Sequence, residues 1–251
     1  MPSIDLNCDM GESFGVWTIG NDIALMDYIS SANIACGFHA GDASVMRKTA
    51  ALALQKGVAV GAHPGLPDLQ GFGRRNMQLN AEEVYDICLY QIGAMLNIVK
   101  ALGAKLHHVK PHGALYNMAA KDKKLAQAIA QATKDSQPDL VLYGLSGSFL
   151  ISEAENAGLT TASEVFADRT YQNDGSLTPR SETNALITDT DTAVAQVIRM
   201  VKEKHVISTD RRVVPIKADT ICIHGDGPHA LAFAQILSQK IKTEQLLVKA
   251  I

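Results

Sequence analysis

Short apolar runs recur along the chain, each followed within a few residues by a cluster of ionisable or amide side chains. Seven of them read as buried parallel strands, over residues 3–8, 32–36, 57–62, 106–110, 139–143, 160–166 and 219–224. Segments of helical composition lie between them, at 44–55, 82–102, 124–133, 148–156 and 190–204, and Asp226-Gly-Pro228 begins a last one running to Ile241. Gly57 and Gly103 suit left-handed caps at two helix ends, and Glu82 and Glu83 suit the positive end of the longest helix. This alternation predicts a parallel sheet covered by helices. Polar clusters after strand upon strand favour an α/β fold closed as an irregular (β/α)7 TIM-like barrel, because loops leaving barrel strands converge on one face. An open doubly wound sheet is disfavoured: no G-x-G-x-x-G follows the first strand, and Gly71-Phe-Gly73 falls within a long loop. Two connections, 64–80 and 167–188, exceed ordinary loop length and are candidate lids.

With 251 residues, 47% hydrophobic and 5% aromatic, the chain suits one domain, 1–251, around an Ala, Val, Ile and Leu core. A net charge of −3 supplies no basic excess for nucleic acid or an anionic membrane, so neither is an expected partner. No apolar run approaches the roughly 20 residues of a membrane span. Met1 leads directly into Ser3-Ile4-Asp5-Leu6 without the features of a signal peptide, which predicts a cytoplasmic location. Cys8, Cys36, Cys88 and Cys222 form no C-x-x-C pair and are expected as thiols. Walker-type and G-x-S-x-G motifs are absent, which argues against a P-loop nucleotide site and a hydrolase serine.

Asp5, Asn7 and Asp9 alternate with apolar residues and so face one side of the first strand, the lumen of a closed barrel. Inward polar groups need a ligand, a cation or each other, although any one of them is equally placed to bond loop amides. His39, His63, His112 and His224 each follow a different strand. With Asp9 and Glu164 they offer bases to activate water, or a His/Asp site for a divalent metal; without H-E-x-x-H spacing, a catalytic transition metal stays open. Pro111 holds Lys110 in extended geometry, where its ammonium suits a carboxylate or phosphate, or pairs with a barrel acid. Arg74 and Arg75 in the first long loop, and Arg169 and Arg180 in the second, offer guanidinium forks for an anionic substrate.

Seven segments then stand together: Asp5-Leu-Asn-Cys-Asp-Met-Gly-Glu12, Asn33-Ile-Ala-Cys-Gly-Phe-His-Ala-Gly-Asp42, Gly61-Ala-His-Pro-Gly65, Gly71-Phe-Gly-Arg-Arg75, Val109-Lys-Pro-His-Gly-Ala-Leu-Tyr-Asn117, Glu164-Val-Phe-Ala-Asp-Arg-Thr-Tyr171 and Ile223-His-Gly-Asp226. In this order they resemble the LamB/YcsF family over essentially the whole chain. The resemblance implies a barrel akin to the glycoside hydrolase/deacetylase superfamily. It also implies a 5-oxoprolinase activity: ATP-dependent opening of the lactam 5-oxo-L-proline to L-glutamate, with Mg and with partner subunits B and C. On that footing Asp9, His39, His63, His112 and Glu164 are expected to activate water and move protons. Asn7, Arg74, Arg75, Lys110, Asp168, Arg169 and His224 are expected to bind substrate or phosphate. A metal-dependent deacetylase or amidohydrolase working without ATP, and a carrier protein that only binds the lactam, remain alternatives.

Overall fold

The computed structural model describes residues 3–223 and 230–251. Seven parallel strands close a barrel: β1 (Ser3–Met10), β2 (Ser31–Ala35), β3 (Ala59–His63), β4 (His108–Val109), β5 (Val141–Leu145), β6 (Thr160–Phe166) and β9 (Thr220–Ile223), which pairs with both β6 and β1. Between β6 and β9 the chain makes an antiparallel hairpin, β7 (His205–Ile207) with β8 (Val213–Pro215), outside the barrel. A terminal strand β10 (Leu247–Val248) pairs with the first residues of β1.

Helices α2 (Ala43–Gln55), α3 (Ala81–Ala101), α5 (Lys123–Ser136), α6 (Phe149–Asn156), α7 (Thr190–Lys202) and α8 (Ala230–Thr243) match the expected segments to within a few residues. Their ends are set by local chemistry. Asp42 accepts from the amides of Ser44 and Val45 at the start of α2, and Asn80 with Glu83 forms a reciprocal capping box on α3. Three further elements, α1 (Asp22–Leu25), α4 (Gly113–Lys121) and the hairpin, depart from the sequence reading. The expected start of α8 at Asp226-Gly-Pro228 lies outside the described residues, as does His224.

The alternation in β1 divides two environments. Leu6, Cys8 and Met10 are fully buried in the apolar layer beneath the helices, while Asp5, Asn7 and Asp9 point into the lumen. That lumen is polar and satisfied from within. At its base Asp5 accepts from Ser30 (2.5 Å), Ser31 (2.8 Å) and Thr220 (2.6 Å). One layer up, Asn7 donates to Thr220 (2.7 Å) and accepts from Asn33 (2.8 Å), whose Oδ1 meets His108 Nε2 at 2.8 Å. The His108 ring stacks on Tyr143, with centroids 4.2 Å apart, and occupies the space left by Gly61, where an added Cβ would fall 2.1 Å from Nε2. Linked hydrogen bonds of this kind hold polar groups in a low-dielectric interior that would reject them singly.

Candidate active site

Above these layers the strand ends bring ionisable side chains together. Lys110 directly follows β4, its amide still bonded to the Ala62 carbonyl of β3, so the backbone ladder fixes its Cα. Its Nζ donates to Asn7 Oδ1 (3.1 Å) and Asp9 Oδ1 (2.9 Å), and lies 3.2 Å from Cys222 Sγ. Glu164 Oε1 is 2.8 Å away, an ionic contact rather than an aligned hydrogen bond. Burial works against the ammonium, but Asp9, Cys222 and Glu164 together raise its pKa well above the lysine range. Burial likewise opposes ionisation of Asp9, and the charges of His63 and Lys110 overcome it, holding the carboxyl well below its ordinary range. Asn7 donates to Thr220 and its Oδ1 accepts from both Asn33 and Lys110, so it helps to position the ammonium.

Three imidazoles stand beside this pair. His63 Nδ1 lies 2.7 Å from the Lys110 carbonyl and His112 Nε2 lies 2.8 Å from the Phe72 carbonyl. A carbonyl only accepts, so those nitrogens carry protons, and in neutral rings the lone pairs fall on His63 Nε2 and His112 Nδ1. These two atoms face each other at 3.0 Å, which requires one proton or one cation between them. Asp9 Oδ2, 3.3 Å from His63 Nε2, supplies the balancing charge. Burial first, and then the His63 charge, lowers the pKa of His112 to about 3. His39 stacks flat on His112 with centroids 3.8 Å apart, and burial followed by the neighbouring rings lowers its pKa too. Both His39 nitrogens are buried without a hydrogen-bond partner among the described residues.

The first long loop closes over the imidazoles. Gly73, at φ +63°, brings its backbone so near that a Cβ would sit 2.7 Å from His39 Cβ and 2.9 Å from His112 Cδ2. The stacked rings and Phe72 form a wall between two hollows. On one side, about 50 Å³ is lined by residues including Asp9, His63, Lys110, His112, Tyr116 and Arg74. On the other, about 270 Å³ is lined by Glu12, His39, Trp17 and Leu69 among others.

Ligand atoms of Glu12, His39, His63 and His112 all lie within 4.8 Å of one another. The unpartnered His39 nitrogens and the opposed lone pairs fit a nitrogen-rich divalent cation site, with Glu12 as its carboxylate.

Of the residues expected at the site, Asp9, His63, Lys110, His112, Arg74 and Arg169 line the smaller hollow, and His39 lines the larger. Glu164 is fully buried against Lys110, outside both walls. Arg75, expected to bind an anion, is not among the residues lining the hollow and forks onto Asp68, bracing the loop. Arg169 lines the hollow, yet donates to the carbonyls of Ala185 and Thr178, ordering the second long loop; Asp168 is not in the wall. The sequence reading of site roles omitted Tyr116, whose hydroxyl is buried and pushed well up in pKa by burial and then by Glu164, and also Glu12 and Asn33. Glu12 closes the first polar segment and carries a detectable signal. Tyr116 rides on α4, which begins at Gly113, two residues after Pro111.

Comparison with known proteins bears on the family and the fold. A protein named as the A subunit of 5-oxoprolinase, from Tolumonas auensis, is 64% identical over 234 residues, 93% of each chain. The crystal structure of a lactam utilization protein from Thermus thermophilus superposes with a TM-score of 0.94 at 46% identity, covering 99% of this chain and 100% of that one. A family 4 carbohydrate esterase from Streptomyces lividans shares the deacetylase-type barrel alone, with a TM-score of 0.51 at 15% identity over 100% of this chain and 93% of its own. The model of the LamB/YcsF family matches residues 4–251, and the chain belongs to that family.

Proposed function

We propose that this chain is the lactam-opening component of an ATP-dependent 5-oxoprolinase, converting 5-oxo-L-proline to L-glutamate with partner subunits B and C in the cytoplasm. The observation that carries this is the buried Lys110 ammonium between Asp9 and Glu164, beside the linked His63 and His112 rings. Relatives of matching length, named as the A subunit of 5-oxoprolinase, support the substrate class.

A lactam carbonyl is a poor electrophile. Transfer of the terminal phosphoryl group of ATP to its oxygen, with release of ADP, creates a leaving group and makes the ring carbon attackable. Water then adds, the ring nitrogen departs as an amine after taking a proton, and a second water releases phosphate from the resulting acyl phosphate. His63, its Nδ1 anchored on a carbonyl, directs Nε2 towards Asp9 and is oriented to take the proton from water. Lys110 holds positive charge where oxygen charge develops. Tyr116 borders the same hollow and is oriented to bond the lactam. In a metal-bound form Glu12, His39, His63 and His112 would hold a divalent cation supplying Lewis acidity to an oxygen; His63 Nε2 would then be a ligand, leaving Asp9, which also lines the hollow, as the base for water.

That cluster also favours a second reading, metal-dependent amide hydrolysis without ATP. The test is glutamate release from 5-oxoproline by this chain reconstituted with its partner subunits. Release that requires ATP and yields one ADP per glutamate is expected; equal release without nucleotide, abolished by a chelator, would replace the first reading with the second.

A further inference from the structure

Strand register aligns Asp9 on β1, Asn33 on β2, Gly61 on β3 and His108 on β4 in one row across the barrel wall. Gly61 has no side chain, so the His108 ring reaches over β3 and sets its Nε2 2.8 Å from Asn33 Oδ1. The Asn33 amide nitrogen directs its two hydrogens to Asn7 Oδ1 and Asp9 Oδ1, each at 2.8 Å. A carboxylate only accepts, which fixes the amide with its nitrogen towards Asp9 and its oxygen towards His108. That oxygen requires a hydrogen on His108 Nε2. Burial first, and then the charges of His107 and Lys110, hold the His108 pKa well below the ordinary value, so the ring is neutral and its Nδ1 carries the lone pair. His107 Nδ1, 3.1 Å away, donates to that lone pair, and stacking on Tyr143 holds the ring plane.

Resting on the lactam-opening reading above, we infer that His108 is a positioning residue for that reaction, acting on Asp9 through Asn33. Asn33 and the Lys110 ammonium both donate to Asp9 Oδ1, at 2.8 and 2.9 Å. Oδ2 is thereby turned towards His63 Nε2, at 3.3 Å, as the oxygen free to meet water. Asn33 Oδ1 has no other hydrogen-bond donor among the described residues. Without His108 the amide is free to turn over, face its oxygen to Asp9 and Asn7, and lose both donated bonds. Lys110 alone would then hold Oδ1, and the carboxylate would no longer be confined to one rotamer.

The test has two arms. Heteronuclear NMR of the histidine side-chain nitrogens in the full chain should show His108 neutral, with its hydrogen on Nε2; a hydrogen on Nδ1, or a charged ring, would overturn the inference. The second arm is glutamate release by the chain reconstituted with its partner subunits, in a double-mutant cycle of His108→Leu and Asn33→Ala. His108→Leu should lower kcat by about ten-fold or more, with KM for 5-oxoproline at the wild-type value. His108→Gln, whose amide nitrogen stands in for Nε2, should recover most of that loss, and His108→Asn, which reaches only as far as Nδ1, should not. The double variant should be no slower than Asn33→Ala, since both changes break one connection. Losses that multiply, wild-type kcat in His108→Leu, or equal losses in the Gln and Asn variants would overturn the inference. Should His108→Leu fail to fold, the contrast between Gln and Asn decides. Glutamate release without ATP would replace the reading of function and leave the cycle intact; no release by the wild-type complex would sink that reading, and the NMR arm would then decide the inference by itself.

Discussion

Lys110 Nζ lies 2.8 Å from Glu164 Oε1, with 3% of one side chain and none of the other exposed. Removing Lys110 would leave both Glu164 and Asp9 without their shared cation. Lys110→Met should abolish lactam hydrolysis, by about 10²-fold or more in kcat. It should also destabilise the fold by about 3–5 kcal/mol, as expected when one partner of a buried ion pair is lost. Denaturant melts and glutamate assays on the same preparation check both, and full activity in the variant would remove Lys110 from the chemistry.

Acid should weaken the protein through His112. Its folded pKa of about 3 lies below the ordinary histidine value of 6.5, so unfolding takes up a proton. Its neutral state is fully favourable above pH 6.5, and stability falls as pH drops from there towards 3, by at most about 1.4 kcal/mol per pH unit. His112→Asn, which does not titrate, should show a flatter profile of urea midpoint against pH. An identical slope would mean the acid response comes from elsewhere.

Metal affinity should depend on His39. Equilibrium dialysis against Zn²⁺ or Mn²⁺ is expected to load one ion per chain, and His39→Ala should weaken binding by about 10–100-fold, the scale seen when a metal site loses supporting interactions. Unchanged loading would place the ion away from Glu12, His63 and His112.

Gly73→Ala tests the loop closure. An alanine there meets both a left-handed backbone and the His39 and His112 side chains, so a loss of about 1–3 kcal/mol is expected, together with reduced turnover. Gly37, also at positive φ but with no atom within 4 Å of a built Cβ, is the control that isolates the backbone contribution.

Arg75→Ala separates the paired loop arginines. Its guanidinium is committed to Asp68 on the protein surface, so KM for the lactam should stay at the wild-type value, whereas Arg74→Ala should raise it. A raised KM in both would show that the loop rearranges on binding.

Most of the barrel was legible because its strands are short apolar-rich segments set between helices capped by residues with known preferences. β4 shows the limit. The expected strand at 106–110 pairs only at His108 and Val109, since Pro111 ends the ladder and Gly113 at once begins a helix. Spacing likewise gave the inward side of Asp5, Asn7 and Asp9 but not their division of labour, which depends on Thr220 and Asn33 from distant segments. Arg74 and Arg75 look equivalent in sequence; only the loop's path, bent by Asp68 accepting from the Gly71 and Arg75 amides, sends them in different directions.

The polar lumen has a consequence for how such a chain can drift. Ser30, Asp5, Thr220, Asn7 and Lys110 form an unbroken relay from the floor of the barrel to its mouth. An oily interior tolerates exchange of one methyl-bearing residue for another, but here a single swap at the floor orphans a neighbour, and the disturbance climbs towards the chemistry. Viable change in this column therefore has to arrive in concert, and a designer wishing to retune the mouth should begin at the bottom.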